Sequence, residues 1–341
     1  MNILFPAGMP GGGDRAAHRR GKAVCMKLVT FAVPCRNVER ELRALCESLL
    51  AAGDAAEIFL IDDGSADGTG RIADEYAGEH PEIFRVIHQE TGGIGDCIDR
   101  AVRFASGRYF KVMDPREGID AESLVNVMKK IRRLEAAGGV DMIVTNYTIR
   151  GNDSIPDRTV RFRNVFRPGR IIGWDKARPF LAWQRMTLQS CMFRTKLIRK
   201  SGISLPKKLS CAEDLFVFAM LPQVQQLCYL DRDLCSRRLG AGTPEPPEGS
   251  GERWEHRMTV CLEIFRMLCS GELRQEHAIP EKYLRQEAQY QFLLTVMTVR
   301  LTAGDGADEQ LRGLWRKAGN IDPVRALQMR AAVLVKARLI K

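Results

Sequence analysis

Residues 57–69 read EIFLIDDGSADGT. The apolar run from Glu57 to Ile61 suits a buried strand, and it stops at Asp62-Asp63-Gly64-Ser65. Asp67 to Tyr76 then shows helical spacing, with Ser65 or Asp67 as the expected cap. A buried strand, a carboxylate-bearing turn and a helix make half of a βαβ unit, and the flanking sequence repeats the theme. Upstream, Lys27 to Val33 predicts a strand, and Val38 to Leu50 an amphipathic helix with Leu42, Leu45, Leu49 and Leu50 on one face. Downstream, strands are expected at Phe84–His88, Tyr109–Met113 and Met142–Tyr147, with helices at Gly95–Ala105 and Glu122–Ala136. Strands alternating with helices imply an α/β fold with a mostly parallel sheet, whose ligands lie at the strands' carboxyl ends.

Beyond residue 150 the pattern loosens. Thr187 to Arg194 predicts a strand leading into a helix over Thr195–Lys200, Glu213 to Val224 a helix, and Cys228 to Leu230 a short strand. Gly240 to Gly251, rich in Gly and Pro, reads as a linker. Apolar residues at helical spacing in Met258–Leu268 and Tyr283–Leu301 then predict a helical C-terminal region. Residues 1–26 have many glycines and no apolar period, so they are expected to be a disordered leader or a start-site artefact.

Composition bounds the class. The 341 residues are 45% apolar and 28% charged. Those values are ordinary for a globular protein with a sizeable core. Ten cysteines without a C-x-x-C pair suggest reduced thiols and a cytoplasmic setting. No apolar run reaches the roughly 18–20 residues of a membrane helix, so the expectation is a soluble chain or one peripheral on the membrane's inner face. Residues 150–200 hold thirteen Lys and Arg against three Asp and no Glu, a surplus equal to the whole-chain formal charge of +10. Arg158, Arg161, Arg163, Arg167 and Arg170 interleave there with Phe162, Phe166 and Trp174. That mixture fits an anionic acceptor, an acidic membrane face or nucleic acid, the last explaining this stretch alone. Arg325 to Lys341 combines Val333, Leu334, Leu339 and Ile340 with Arg330, Lys336 and Arg338, and fits a surface-seeking helix or one packed on its own domain. His256 and His277 lack companions at metal-ligand spacing and read as structural or exposed.

Four clusters each follow a predicted strand: Pro34-Cys35-Arg36-Asn37-Val38-Glu39, Asp62-Asp63-Gly64-Ser65, Gly92-Gly93 and Asp114-Pro115-Arg116-Glu117. A carboxylate just past a strand can accept hydrogen bonds from a base or ribose, and glycines let a backbone approach a diphosphate. No G-x-G-x-x-G follows the first strand, which disfavours a dinucleotide dehydrogenase.

The order VPCRNVE, IDDGSADGT, ETGGIGDCIDRAVRFASGRYFKVMD, MDPRE, FRTKLIRKSGISLP, AEDLFVF and YLDRDLCSRRLG resembles the family 2 glycosyltransferases, over about residues 27–240. The resemblance implies a GT-A type three-layer α/β/α sandwich, with a donor half at 27–120, an acceptor half at 121–240, a linker at 241–251 and a helical region at 252–341. It implies an inverting enzyme that moves a sugar from a nucleotide-sugar, a UDP-sugar by analogy, to a hydroxyl of a saccharide or lipid-linked acceptor of the cell envelope. Pro34, Asn37 and Glu39 would frame the nucleoside, Asp63 would accept the uracil imide proton, Asp62 would support the turn, and Gly92 and Gly93 would line the donor. Asp114 and Glu117 would hold Mg²⁺ or Mn²⁺, but the family's Asp-x-Asp-Asp is here Asp-Pro-Arg-Glu. Arg116 brings a guanidinium able to pair with phosphate in place of the ion, and the same departure fits a catalytically degenerate binding or scaffold relative. Glu213-Asp214 matches the family's acidic pair, with Asp214 as the favoured general base and Glu213 next. Arg161, Arg163 and Arg167 are the candidate acceptor contacts.

Overall fold

The computed structural model describes residues 26–152, 154–238, 253–271 and 279–338. The chain opens β1 (Val29–Cys35), α1 (Glu39–Leu50), β2 (Ala56–Asp63), α2 (Thr69–Glu79), β3 (Phe84–Gln89), α3 (Gly93–Phe104) and β4 (Tyr109–Val112). It continues through β5 (Gly118–Ile119), α4 (Ala121–Ala136), β6 (Met142–Arg150), β7 (Arg158–Val160), β8 (Ile171–Ile172), β9 (Cys191–Arg194), α5 (Thr195–Ser201), α6 (Ala212–Met220) and β10 (Leu227–Arg238). A helical extension follows: α7 (Arg253–Ser270), α8 (Glu281–Thr302), α9 (Ala307–Ile321) and α10 (Pro323–Arg338). The expected linker lies outside the described residues.

The sheet runs β3-β2-β1-β4-β9-β6-β10-β5, with β7 beside β6 and β8 beside β10. It is parallel through β3, β2, β1 and β4. β9 enters antiparallel between β4 and β6, and β10 returns parallel to β6. α1 packs with α2 and α4, while α3 packs with α5 and α6, giving the two outer layers. The chain winds outward from β1 to β3 and then resumes on β1's other side with β4. That reversal is the switch point at which an open α/β sheet forms its ligand crevice.

β2 is buried along its whole length, including Glu57. The Glu57 carboxylate accepts from the Thr30 hydroxyl at 2.9 Å and the Ser106 amide at 2.8 Å, with Arg85 at 3.5 Å. These partners fasten β1, β2 and the loop before β4 to one another.

Several sequence-based boundaries move. α2 is capped at Gly68, although Asp67 accepts the Thr69 amide at 3.0 Å. The strand expected from Thr187 begins at Cys191, because Ser190 and Cys191 both donate to the Thr187 carbonyl. β10 reaches Arg238, far past Leu230, and its register against β6 shifts twice between Leu230 and Cys235. Those irregularities break the alternation by which a strand is read. Phe162, Phe166 and Trp174 are core residues, each at most 1% exposed; the two phenylalanines pack with Phe180 and Tyr229, and Trp174 packs on Phe166. They offer no stacking surface to nucleic acid.

Gly107 sits where β1 and β4 meet: its amide donates to Thr30 Oγ1 at 2.9 Å, and an added Cβ would lie 2.4 Å from the Thr30 nitrogen. Gly107→Ala is therefore expected to cost about 1–3 kcal/mol, read as a lower urea midpoint with unchanged slope.

Candidate active site

Two loops at the carboxyl ends of β1 and β2 are laced together by the motif residues themselves. Asn37 adopts a left-handed φ of 50°. Its short polar side chain tolerates that conformation. Its Oδ1 accepts the Ala66 amide at 2.8 Å, and its own amide donates to Ser65 Oγ at 3.1 Å. The Val38 amide donates to Thr69 Oγ1 at 2.8 Å, and Glu39 Oε2 accepts the Gly68 amide at 2.8 Å. Asn37 and Glu39 are thus engaged by the loops, whereas Pro34, Arg36 and Val38 line the adjoining cleft. Asp62 takes the Ser65 amide at 3.1 Å, with its other oxygen 3.1 Å from His88 Nδ1.

Asp63 faces the cleft. Its Oδ1 accepts from the Gly92 amide and Gln89 Nε2, both at 2.7 Å, and its Oδ2 accepts from the Gly93 amide at 2.9 Å. The carboxylate caps the start of α3, where the helix dipole favours an anion. Three of its roughly four acceptor positions are filled, leaving Oδ2 room for one more donor. Gly93 has a φ of 81°, which a side chain rarely adopts, and it lines the cleft; the Gly92 and Gly93 amides are turned toward Asp63.

The cleft holds about 810 Å³ of empty space counted out to open solvent. Beyond β4 it is bounded by Asp114, Pro115, Arg116 and Glu117, and elsewhere by Leu188, Gln189, Ser210, Cys211 and Glu213. Asp114 Oδ1 accepts the Arg116 amide at 2.9 Å, and its Oδ2 lies 3.7 Å from the Arg116 guanidinium. Burial raises the Asp114 pKa, opposed by those two Arg116 groups. Glu117 is buried and bonded to the Gln189 amide, with Oε2 unpartnered. Burial, then the neighbouring Asp114, pushes its pKa up to about 7.

A resident divalent cation needs several charged oxygens free to converge. Here Asp114 is engaged by the Arg116 amide and guanidinium and Glu117 by Gln189, so the two carboxylates are not free to converge on such an ion. Among the described residues no group of three or more His, Cys, Asp or Glu is arranged to hold one.

The acidic pair divides. Cys211, before α6, has a φ of 68°. That value is strained for a residue other than glycine. The next turn carries Glu213 into the cleft, where Oε2 is buried without a hydrogen-bond partner. Burial and then Asp214 raise the Glu213 pKa to about 7. Asp214 does not line the cleft; it accepts from Arg257 at 3.2 Å and lies 3.5 Å from Arg185. Arg161 and Arg163 are paired with Asp233 and Asp231, outside the cleft lining, which also does not include Arg167.

Two further groups build these walls: Lys111, which sequence reasoning missed, and His256, which it read as structural or exposed and which is buried. Lys111 is fully buried and donates to the carbonyls of Leu188 at 2.9 Å and Gln189 at 3.0 Å, holding that segment against the cleft. His256, buried on α7, accepts the Ser210 amide at 2.9 Å. Their partners lie far along the chain, beyond any local pattern.

The profile of glycosyl transferase family 2 matches residues 30–193. The putative glycosyltransferase EpsH of Bacillus subtilis is 30% identical over 127 residues, covering 37% of this chain and 35% of that relative. The minor teichoic acid biosynthesis protein GgaB of the same organism is 26% identical over 99 residues, covering 28% of this chain and 11% of that protein. The matches therefore span about a third or less of these relatives' lengths. The solved structure of S. aureus TarS 1-349 in complex with UDP superposes with a TM-score of 0.61 at 18% identity, covering 91% of this chain and 89% of that one, a likeness of fold.

Proposed function

This chain belongs to glycosyl transferase family 2 over its matched residues 30–193, and we propose on that premise that its cleft moves a sugar from a nucleotide-sugar, a UDP-sugar in our reading, to a saccharide hydroxyl with inversion. One observation carries the reading: Asp63, Arg116 and Glu213 line a single cleft at the switch point of the sheet. The nucleoside lies against Pro34, Arg36 and Val38, where the open acceptor position of Asp63 suits an N–H of the base. Asn37, Glu39 and Asp62 act at one remove, by fixing the loops, and Gly93 shapes the wall.

In this reading Glu213 takes the acceptor hydroxyl's proton while that oxygen attacks the anomeric carbon. The bond from that carbon to the diphosphate breaks, and the nucleoside diphosphate leaves with the electron pair. A base with a pKa near 7 is well matched to proton transfer near neutrality. The developing charge on the diphosphate is met by Arg116, whose fork can pair with phosphate oxygens. Its 3.7 Å contact with Asp114 is loose enough to exchange for them.

The name of one relative, the minor teichoic acid biosynthesis protein GgaB, supports an acceptor of envelope-polymer type. No helix among the described residues is long and apolar enough to cross a membrane. α10 exposes Val324, Leu327, Leu334 and Val335, buries Ala326, Met329 and Val333, and carries no acidic residue. That face supports a seat on an anionic bilayer, close to a lipid-linked acceptor.

Three expectations test this. Release of UDP from UDP-sugars is expected to survive EDTA and to fall by roughly 10²-fold or more in Arg116→Met; loss of turnover in EDTA that Mn²⁺ restores would overturn the role given to Arg116. The value of kcat/KM is expected to rise tenfold per pH unit up to about pH 7 and then level, because the base works only when deprotonated. Glu213→Gln should remove that limb and about 10²–10⁴-fold of turnover while UDP binding is kept. Finally, the protein should sediment with phosphatidylglycerol vesicles and not with phosphatidylcholine, and the double change Leu327→Ser with Val335→Ser should abolish this.

A further inference from the structure

Behind the acidic pair lies a closed ring of polar contacts that the cleft itself does not use. Arg185 Nε donates to Glu287 Oε2 at 2.9 Å, and the same guanidinium lies 3.5 Å from Asp214. Asp214 accepts from Arg257 at 3.2 Å, Arg257 reaches Gln291 Oε1 at 3.4 Å, and Gln291 returns to Glu287 at 3.1 Å. Tyr290 covers the Arg185 guanidinium, 3.8 Å from ring centroid to Cζ. Two arginines and two carboxylates balance the charge, as a buried polar cluster requires. The ring draws on the segment before β9, on α6, and on α7 and α8 of the helical extension, which lie outside the family-matched residues.

The same extension holds the other end of the turn. His256, next to Arg257 on α7, accepts the Ser210 amide at Nδ1 at 2.9 Å, with the Ser210 hydroxyl also 2.9 Å from that nitrogen. Ser210 immediately precedes the strained Cys211. Two consecutive residues of α7 thus grip the chain on either side of Glu213: His256 at Ser210 and Arg257 at Asp214. A helix advances about 100° per residue. With Asp214 turned into the ring, the adjacent Glu213 is directed away from it and into the cleft.

We propose that α7 selects which carboxylate is the base: Arg257, with Arg185, occupies Asp214 while His256 holds Ser210, and together they present Glu213, so that Arg257 is a positioning residue for the reaction. This rests on the glycosyl-transfer reading above. Arg257 also acts on Glu213 by charge, since its guanidinium favours the Glu213 carboxylate. Asp214 on α6 and Asp114 beyond β4 oppose that effect, and the Cys211 thiol is the other titratable group beside Glu213.

The test is the pH dependence of UDP release from a UDP-sugar, with water as the acceptor, in the full chain. In Arg257→Gln the acid limb is expected to move to higher pH by roughly one pH unit, because a nearby positive charge is lost. At pH 7, kcat should fall tenfold or more while the KM for the donor changes less than twofold. Arg257→Lys keeps the charge and loses the fork, so its limb should stay near pH 7 while kcat falls. An unmoved limb in Arg257→Gln, or a limb moved equally by both changes, would overturn the proposal. If Arg257→Gln does not fold, Arg257→Lys decides: unchanged kcat sinks the positioning role, and lowered kcat with unchanged donor KM supports it. The outcomes separate from the parent reading, which fails instead if Glu213→Gln keeps full turnover in the unaltered ring.

Discussion

The carboxylate of Asp63 is the fixed point from which the rest of the cleft is laid out. Placed at the end of a fully buried strand, it would be a costly isolated charge, and three protein donors remove most of that cost. Two of them are the amides that begin α3, so the same bonds that stabilise the charge also join the end of β2 to the helix that follows β3. Once that junction is set, the crevice between β1 and β4 has a defined wall. The neighbouring loop needs its own reinforcement, and Asn37, Ser65, Gly68 and Thr69 provide it across the β1–α1 and β2–α2 connections. Much of the motif that looks like a binding signature is, in physical terms, loop carpentry that gives a ligand a rigid surface.

On the far side of the cleft the constraint is electrostatic. Among the described residues, four carboxylates, those of Asp63, Asp114, Glu117 and Glu213, line one crevice with Arg36 and Arg116 as its cationic side chains. Crowded burial of like charges raises proton affinity. Glu117 and Glu213 respond that way, each reaching about 7. The two are not equivalent. Each keeps one buried oxygen without a partner, but Glu117 is also tied through its other oxygen to Gln189, in a segment that buried Lys111 holds in place. An acid held by a neutral amide is suited to structure, and Glu213, without that tie, is better suited to accepting a proton.

The Asp-Pro-Arg-Glu turn changes the electrostatics of the leaving-group site. A guanidinium carries its charge permanently and needs no assembly of oxygen ligands, but it supplies one charge where a divalent ion supplies two. In our proposal a single arginine meets a diphosphate that also retains solvent, with the remaining stabilisation coming from a cleft that keeps the reacting groups close. The helical extension then contributes more than bulk. It seals the back of α6 with a charge-balanced ring, in which Arg185, within the family-matched residues, is joined to α7 and α8 beyond them.

Local sequence was enough for the α/β alternation, the parallel strands around β1 and the motif loops, because the periodicity of buried strands and the chemistry of turns act within a few residues. The apolar run ending at Asp62 and Asp63, and the GGIG stretch opening α3, could be read in place. The long β10 could not, because two register shifts erase its alternation. Phe162, Phe166 and Trp174 suggested a surface and proved to be core, since composition alone does not reveal which way a side chain faces. Of the adjacent Glu213 and Asp214, the sequence favoured Asp214 as the base. Their different surroundings came only from the tertiary structure, because Arg185, Arg257 and Glu287, which form the ring around Asp214, lie far along the chain in elements brought together by packing. The sequence determined the crevice and its motif loops, and the three-dimensional fold decided that Glu213, not Asp214, lines it.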